Sequence, residues 1–308
     1  MSLVSERFGR QISIFGIHGQ EKIQSTKVVL VGYGGLGTFV LPQLCLLGVK
    51  NITVIEYETF SATNRNRYLG FSHSDFDSVK GIGVDKVLVA ERVAKGIDPD
   101  IDIKLIRNKL ETREAFDTIV EADIVIGCLD SDGARSILNE LSIAYGVTYI
   151  DLASEVFEDG TFGGRVAIIK DGNGCLYCMG DGLDQTEVRR YLADEEQLEN
   201  EAKVYGVDKS SLAVGTGPSV VDLNGIIASL GVQEFKLLLT EQKSLSRYLN
   251  YRGHLKTLSQ VKINRDNDCY CCSLLNKEDE ANVGRYLPDY PSVPFANLPQ
   301  RSADSLLI

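Results

Sequence analysis

Basic charge is scarce in this chain: 32 Lys and Arg stand against 43 Asp and Glu, a formal net charge of −11 with an isoelectric point near 4.9. A molecule of that sign has no global attraction for a phosphate backbone or an anionic membrane, which excludes nucleic-acid binding as the main role. Long hydrophobic runs are missing too. The longest mostly apolar stretch, Phe39 to Val49, has 11 residues and contains Pro42 and Gln43, well short of the roughly 20 that span a bilayer. Glu6, Arg7 and Arg10 precede any apolar run, so the start does not read as a secretory leader and a cytoplasmic location is expected. Cysteine is sparse, seven in 308 residues, which rules out a disulfide scaffold. In a reducing compartment, grouped thiols bind metal or do redox chemistry instead. His18, His73 and His254 are isolated from one another, and no internal repeat is present.

What is there reads as an α/β protein. Val28 to Val31 is a β-branched run ending at Gly32, and the apolar stretch from Leu36 to Leu47 is long enough for a helix, with Pro42 expected to kink it. Ile52 to Ile55 is a second strand, which completes a βαβ unit. Further alternation follows: helix over 84–93, strand over 101–106, helix over 113–120, strand over 124–126, helix over 134–145, extended chain over 148–152. This order predicts a Rossmann-like, doubly wound fold with a mixed, mostly parallel sheet, and ligands at the carboxyl ends of its strands. In the second half, 163–169 predicts a strand of an antiparallel portion. Nine acidic and three basic residues from Asp181 to Asp208 predict exposed helix and a mobile crossover, and 220–239 restores helical periodicity. Four of the seven prolines lie after Tyr286, which predicts an extended tail.

Gly32-Tyr33-Gly34-Gly35-Leu36-Gly37 follows a strand and opens a helix, the context of a phosphate-binding fingerprint. Glu56 ends the next strand, 24 residues after Gly32, where a carboxylate accepts from ribose hydroxyls. An NAD-dependent oxidoreductase is the first reading of that pair. Two features fit it poorly. Thr63-Asn64-Arg65-Asn66-Arg67 lies directly after the second strand and Lys86 opens a later helix, so up to three cations converge on the strand ends, which suits a triphosphate better. Cys128-Leu129-Asp130-Ser131 ends a buried strand and leaves Asp130 where it either holds magnesium or caps a helix.

Cys175-Leu176-Tyr177-Cys178 and Cys269-Tyr270-Cys271-Cys272 are two CxxC pairs about ninety residues apart. Four thiolates suit tetrahedral zinc in a closed, structural site formed by Cys175, Cys178, Cys269 and Cys272. Cys271 is surplus by spacing, although it also fits in place of Cys272.

Taken together and in order, these residues resemble the ThiF/MoeB/HesA family, bacterial relatives of ubiquitin-activating enzymes. The resemblance runs from about Arg7 to Cys272 and rests on Arg7 to Gln11, Gly19-Gln20, the glycine loop, Glu56 to Glu58, Asn64 to Arg67, Lys86, Ile97 to Pro99, Asp130 with Arg135, and both CxxC pairs. It implies an ATP-dependent adenylyltransferase that activates the C-terminal carboxylate of a small ubiquitin-like or sulfur-carrier protein ending in Gly. Adenylation of a peptide in antibiotic maturation is the alternative. It further implies a homodimer in which Arg10 reaches the other subunit's site. Gly34, Gly35, Gly37 and Ser131 would lie at the nucleotide, with Glu56 at the ribose. Asn64, Arg67 and Lys86 would lie at the phosphates and Asp130 on magnesium. Catalysis would fall to Arg10, Arg67, Lys86 and Asp130. The implied organisation is a helical arm over 1–25, an adenylation domain over 26–275 divided near residue 160 into nucleotide and carrier-plus-zinc halves, and a tail over 276–308. Residues 179–268 contain no cysteine, so the chain is expected to lack the thioester cysteine that some members carry there. Where most members have Asp, this chain has Glu56.

Overall fold

The computed structural model describes residues 3–157, 159–170, 174–179, 182–192, 218–240, 246–274 and 286–287. Its strands are β1 Lys27–Val31, β2 Asn51–Ile55, β3 Phe76–Asp77, β4 Ile82–Gly83, β5 Asp102–Ile106, β6 Ile124–Gly127, β7 Thr148–Val156, β8 Phe162–Ile169, β9 Tyr248–Arg252 and β10 Thr257–Gln260. The helices are α1 Leu3–Ser25, α2 Gly37–Leu47, α3 Lys86–Ile97, α4 Arg113–Val120, α5 Asp132–Tyr145, α6 Gln185–Leu192 and α7 Val221–Thr240. One eight-stranded sheet has the order β10-β9-β8-β7-β6-β1-β2-β5. Strands β5, β2, β1, β6 and β7 are parallel neighbours, and β7 to β10 pair antiparallel. The doubly wound, mostly parallel sheet with an antiparallel second half is therefore present, and it runs without a break across residue 160.

Strand β1 shows why the sheet is wound on both faces. Val28 and Leu30 pack with α2, α3 and α7, while Val29 and Val31 pack with α4 and α5 on the other side. A strand buried on both faces reads as a continuous apolar run, as Val28 to Val31 does. From β1 the chain winds outward through β2 to β5, then returns to β6 on the opposite side of β1. That reversal opens a crevice beyond the carboxyl ends of β1 and β6.

Helix α2 continues as one helix through Pro42. The expected disruption is limited to one missing donor, and Val40, Leu41, Leu44 and Cys45 on the same helix are completely buried. Helix α1, broken only at Gly16 (φ 75°), is docked rather than free. Arg7 and the side-chain amides of Gln11 and Gln20 donate to the carbonyls of Cys45, Leu46 and Leu47, the last carbonyls of α2. These groups satisfy the acceptors that a helix end leaves open. Arg7 also meets the buried Asp98 at 2.7 Å, and Lys50 meets it at 2.6 Å. Of the acidic stretch 181–208, Gln185–Leu192 is helical as expected; its remainder after residue 192 and the proline-containing tail beyond Leu287 lie outside the described residues.

Candidate functional site

The glycine loop leaves β1 at Gly32, whose φ of 90° favours glycine and whose Cα lies so close to the Cys128 carbonyl that a side chain would collide with it. Gly34 and Gly37 follow, the latter opening α2. No side chain caps that helix, which leaves its N-terminus suited to an anion. At Gly35 the close approach is made by the protein itself: the amide of Asn224, from the first turn of α7, occupies the place a side chain would need. Asn224 is held by the Ser154 hydroxyl, which donates to its oxygen at 2.7 Å, and by its own donation to Ser219 at 3.0 Å.

Glu56 sits just past β2, 7% exposed, and both its oxygens accept from the backbone: Tyr33 N–H at 3.0 Å and Glu58 N–H at 2.9 Å. Burial pushes its carboxyl above the usual range, while the Lys86 ammonium and those two N–H groups pull the other way. Each carboxylate oxygen has a second lone pair, so ribose hydroxyls remain acceptable donors. Lys86, at the start of α3 and 2% exposed, pairs with Glu58. Burial alone would lower its pKa, but Glu56, Tyr68 and Glu58 raise it overall, so it is a permanent cation. The Tyr68 ring lies 5.1 Å from the Lys86 ammonium.

Asn64 is buried and caps its own turn through Oδ1, which accepts from Ser61 N–H at 2.9 Å. Arg67 donates to the Thr63 carbonyl at 2.6 Å and lies 5.8 Å from the Tyr68 ring. Asp130 is exposed on the loop after β6. The N-cap of α5 is Ser131, whose hydroxyl accepts from Ala134 N–H, so Asp130 is left unspent by the helix. Arg135 steadies that loop from below by donating to the Leu129 carbonyl and to both oxygens of Asp151. Complete burial pushes the Asp151 carboxyl up, but Arg135 and Arg165 hold it below its usual range. Arg10 is exposed on α1. Glu56, Lys86, Tyr68 and the glycine loop thus meet at the strand ends, with Asp130 on the neighbouring loop. Tyr68, Asn224 and Tyr191 are further residues at these strand ends that motif spacing did not point to. Only Tyr68, next to Arg67, carried a local signal.

The four predicted cysteines come together with all sulfurs within 4.8 Å of one another. Cys175 lies 3.9 Å from Cys178 and 3.6 Å from Cys269, and Cys178 lies 3.4 Å from Cys272. A zinc ion bonded at about 2.3 Å to each corner of a tetrahedron would set these edges near 3.8 Å, so the set fits zinc. Cys271 stands outside the set; its sulfur instead accepts from Asn139 Nδ2 at 3.2 Å, while Asn139 Oδ1 accepts from Leu176 N–H at 2.9 Å. Burial pushes the Cys45 thiol up to about 12 and raises Cys128 further, which leaves neither as a ready nucleophile. Among the described residues no helix is long and apolar enough to cross a membrane.

Residues 8–272 match the ThiF family. Molybdopterin-synthase adenylyltransferase of Escherichia coli is 31% identical over 177 residues, 56% of this chain and 67% of that protein. The adenylyltransferase and sulfurtransferase UBA4 of Lodderomyces elongisporus is 29% identical over 148 residues, 47% of this chain and 31% of that protein. The chain therefore spans about a third of the fungal relative and two thirds of the bacterial one. Among solved structures, E. coli MccB with ATP superposes with a TM-score of 0.65 at 19% identity, covering 86% of this chain and 74% of that one. MccB with the MccA-N7isoASN compound gives 0.68 at 18% identity, covering 88% and 75%.

Proposed function

This chain belongs to the ThiF family, and on that premise we propose that it is an ATP-dependent adenylyltransferase acting on the C-terminal carboxylate of a small ubiquitin-like or sulfur-carrier protein. The observation that carries the reading is the buried, permanently charged Lys86 beside Glu56 at the mouth of the glycine loop. A dinucleotide redox site needs no such cation, whereas a triphosphate does.

Adenylation joins two anions: a carboxylate oxygen of the carrier bonds to the α-phosphorus of ATP, the bond to the β-phosphate breaks, and pyrophosphate leaves. No general base is required, because the attacking carboxylate is ionised at neutral pH. Lys86 and Arg67 offset charge on the phosphoryl oxygens, and Arg10 does so from a second copy of the chain in a homodimer. Glu56 orients the ribose, and Asn64 fixes the turn that carries Arg67. Asp130, exposed and free of capping duty, is the residue to hold magnesium, which when bound neutralises the leaving pyrophosphate. With Cys45 and Cys128 buried and protonated, and Cys271 buried against Asn139, the acyl-adenylate passes to an acceptor outside this chain.

A peptide in place of the carrier is the second reading, supported by the likeness to MccB, solved with a compound named for the MccA peptide. The experiment is pyrophosphate exchange with candidate Gly-terminated carriers and peptides, alongside calorimetry with magnesium-ATP and NAD. Exchange that needs a carrier and is lost in Asp130→Ala, with an unchanged melting temperature, supports the reading. Binding of NAD but not ATP refutes it.

A further inference from the structure

Beyond Glu56, the crevice opens toward the end of β5. Strands β1, β2 and β5 are successive neighbours in the sheet, spaced about 4.8 Å apart. A nucleotide whose phosphates lie on the loop after β1 and whose ribose lies at Glu56 after β2 therefore carries its base toward the chain leaving β5. That chain holds the buried Leu110, then Glu111, then Thr112, the N-cap of α4.

Glu111 is oddly provided for. Its Oε1 accepts a hydrogen bond from the Tyr191 hydroxyl at 2.5 Å, while its Oε2 is buried without a hydrogen-bond partner among the described residues. An unsatisfied buried acceptor is costly and calls for a donor. Tyr191 is a distant supplier, on α6, and three contacts fix that helix on the start of α5. The Asp132 N–H donates to Glu187 at 2.9 Å, the Asp184 N–H donates to Asp132 at 2.7 Å, and the Tyr191 ring fills the space over Gly133 that a side chain would occupy. Burial and the Glu111 carboxylate raise the pKa of the Tyr191 phenol, with smaller contributions from Tyr57 and Asp130. The ammonium of the exposed Lys109 lies 5.5 Å from the Tyr57 ring.

We propose that Glu111, oriented by Tyr191, selects the nucleotide base by accepting a hydrogen bond from the exocyclic 6-amino group of adenine. The inference rests on the crevice binding ATP. An oxo group at the same ring position would set two acceptors face to face, so 6-oxopurine nucleotides would be rejected. Glu111 is then a specificity determinant of this chain, and Tyr191 is a positioning residue delivered by the second half of the molecule.

The test is calorimetric titration of the full chain with magnesium-ATP and magnesium-ITP, which differ at that ring position. Wild type should favour ATP by tenfold or more. Glu111→Gln, nearly the same shape but able to donate, should bring the ATP to ITP affinity ratio to within about threefold of unity. Tyr191→Phe should reduce the ratio while leaving ITP affinity unchanged, and melting curves confirm that both variants fold. An unaltered ratio in Glu111→Gln, with ATP still bound by wild type, overturns this proposal alone. If wild type binds neither nucleotide, the adenylyltransferase reading falls and takes this proposal with it.

Discussion

Lys86 has no aqueous alternative: with 2% of its surface exposed, its charge must be balanced from within the protein. Glu58 supplies the direct partner, Glu56 and the Tyr68 ring lie close by, and in the proposed adenylation ATP would bring a competing anion to the same place. Removing the ammonium therefore has two effects. In the proposed reaction it withdraws a cation from the transferring phosphoryl group, and in the free protein it leaves the buried Glu56 without its opposing charge. Lys86→Ala should lower the rate of carrier-dependent pyrophosphate exchange by about 10²- to 10³-fold, the usual loss for one preorganised electrostatic contact. The same variant should melt earlier, because breaking a buried pair leaves an uncompensated carboxylate. Exchange near the wild-type rate would remove Lys86 from the phosphate site. The roles differ at Gly35, which the family resemblance places at the nucleotide. There a side chain is excluded by Asn224, so the residue reports the packing of α7 as much as the presence of a ligand.

Among the elements, α1 is tied to the ends of α2 and α3 in part by a charge cluster. Asp98, at the C-cap of α3, is buried, which raises its pKa, but Lys50, the Asp100 N–H and Arg7 together hold it at about 2. A carboxylate with a depressed folded pKa stabilises the fold fully above the unfolded value near 3.9, and that contribution is lost as pH falls through 2. The melting temperature of wild type should accordingly exceed that of Asp98→Asn at pH 7. The gap should narrow below about pH 4 and close near pH 2; a gap that does not depend on pH would assign the stabilisation to packing alone. Arg7, Gln11, Gln20 and Asp98 carried the family resemblance by position, yet their contacts show them tying α1 to the ends of α2 and α3. Their place in the motif was legible in sequence; their capping duty was not, since the carbonyls they satisfy have no side-chain signature. The same limit hid Tyr191 and Asn224, which reach the site from α6 and α7. By contrast, Glu56 and Lys86 end or begin elements with clear periodicity, and each cysteine pair chelates from a single turn, so these could be read locally.

Across the whole molecule, the cysteine cluster joins the loop after β8 to the segment after β10, closing a span of 94 residues that contains α6, α7 and the last two strands. A metal that closes a long span restricts the unfolded chain and adds its binding energy to folding. The inner contacts are built around it: Asn139 on α5 links Cys271 to Leu176, Asp266 N–H donates toward Cys178 at 3.5 Å, and Arg265 donates to the Cys272 carbonyl. The purified protein should therefore contain one zinc per chain. Cys272→Ser should lose that zinc and, if about 3 kcal/mol of binding energy is forfeited, melt roughly 4–5 °C lower. Its affinity for ATP at about 25 °C should fall but not vanish, because Glu56, Lys86 and the glycine loop stand at the ends of the parallel strands outside the metal's span, whereas Tyr191 and Asn224 reach the site from α6 and α7 within it. Cys271→Ser should retain full zinc, since that sulfur accepts from Asn139 and is not one of the four that lie together. Zinc lost from Cys271→Ser but kept by Cys272→Ser would exchange the two ligands, and ATP affinity lost together with zinc would make the cluster part of the nucleotide site rather than a staple beside it.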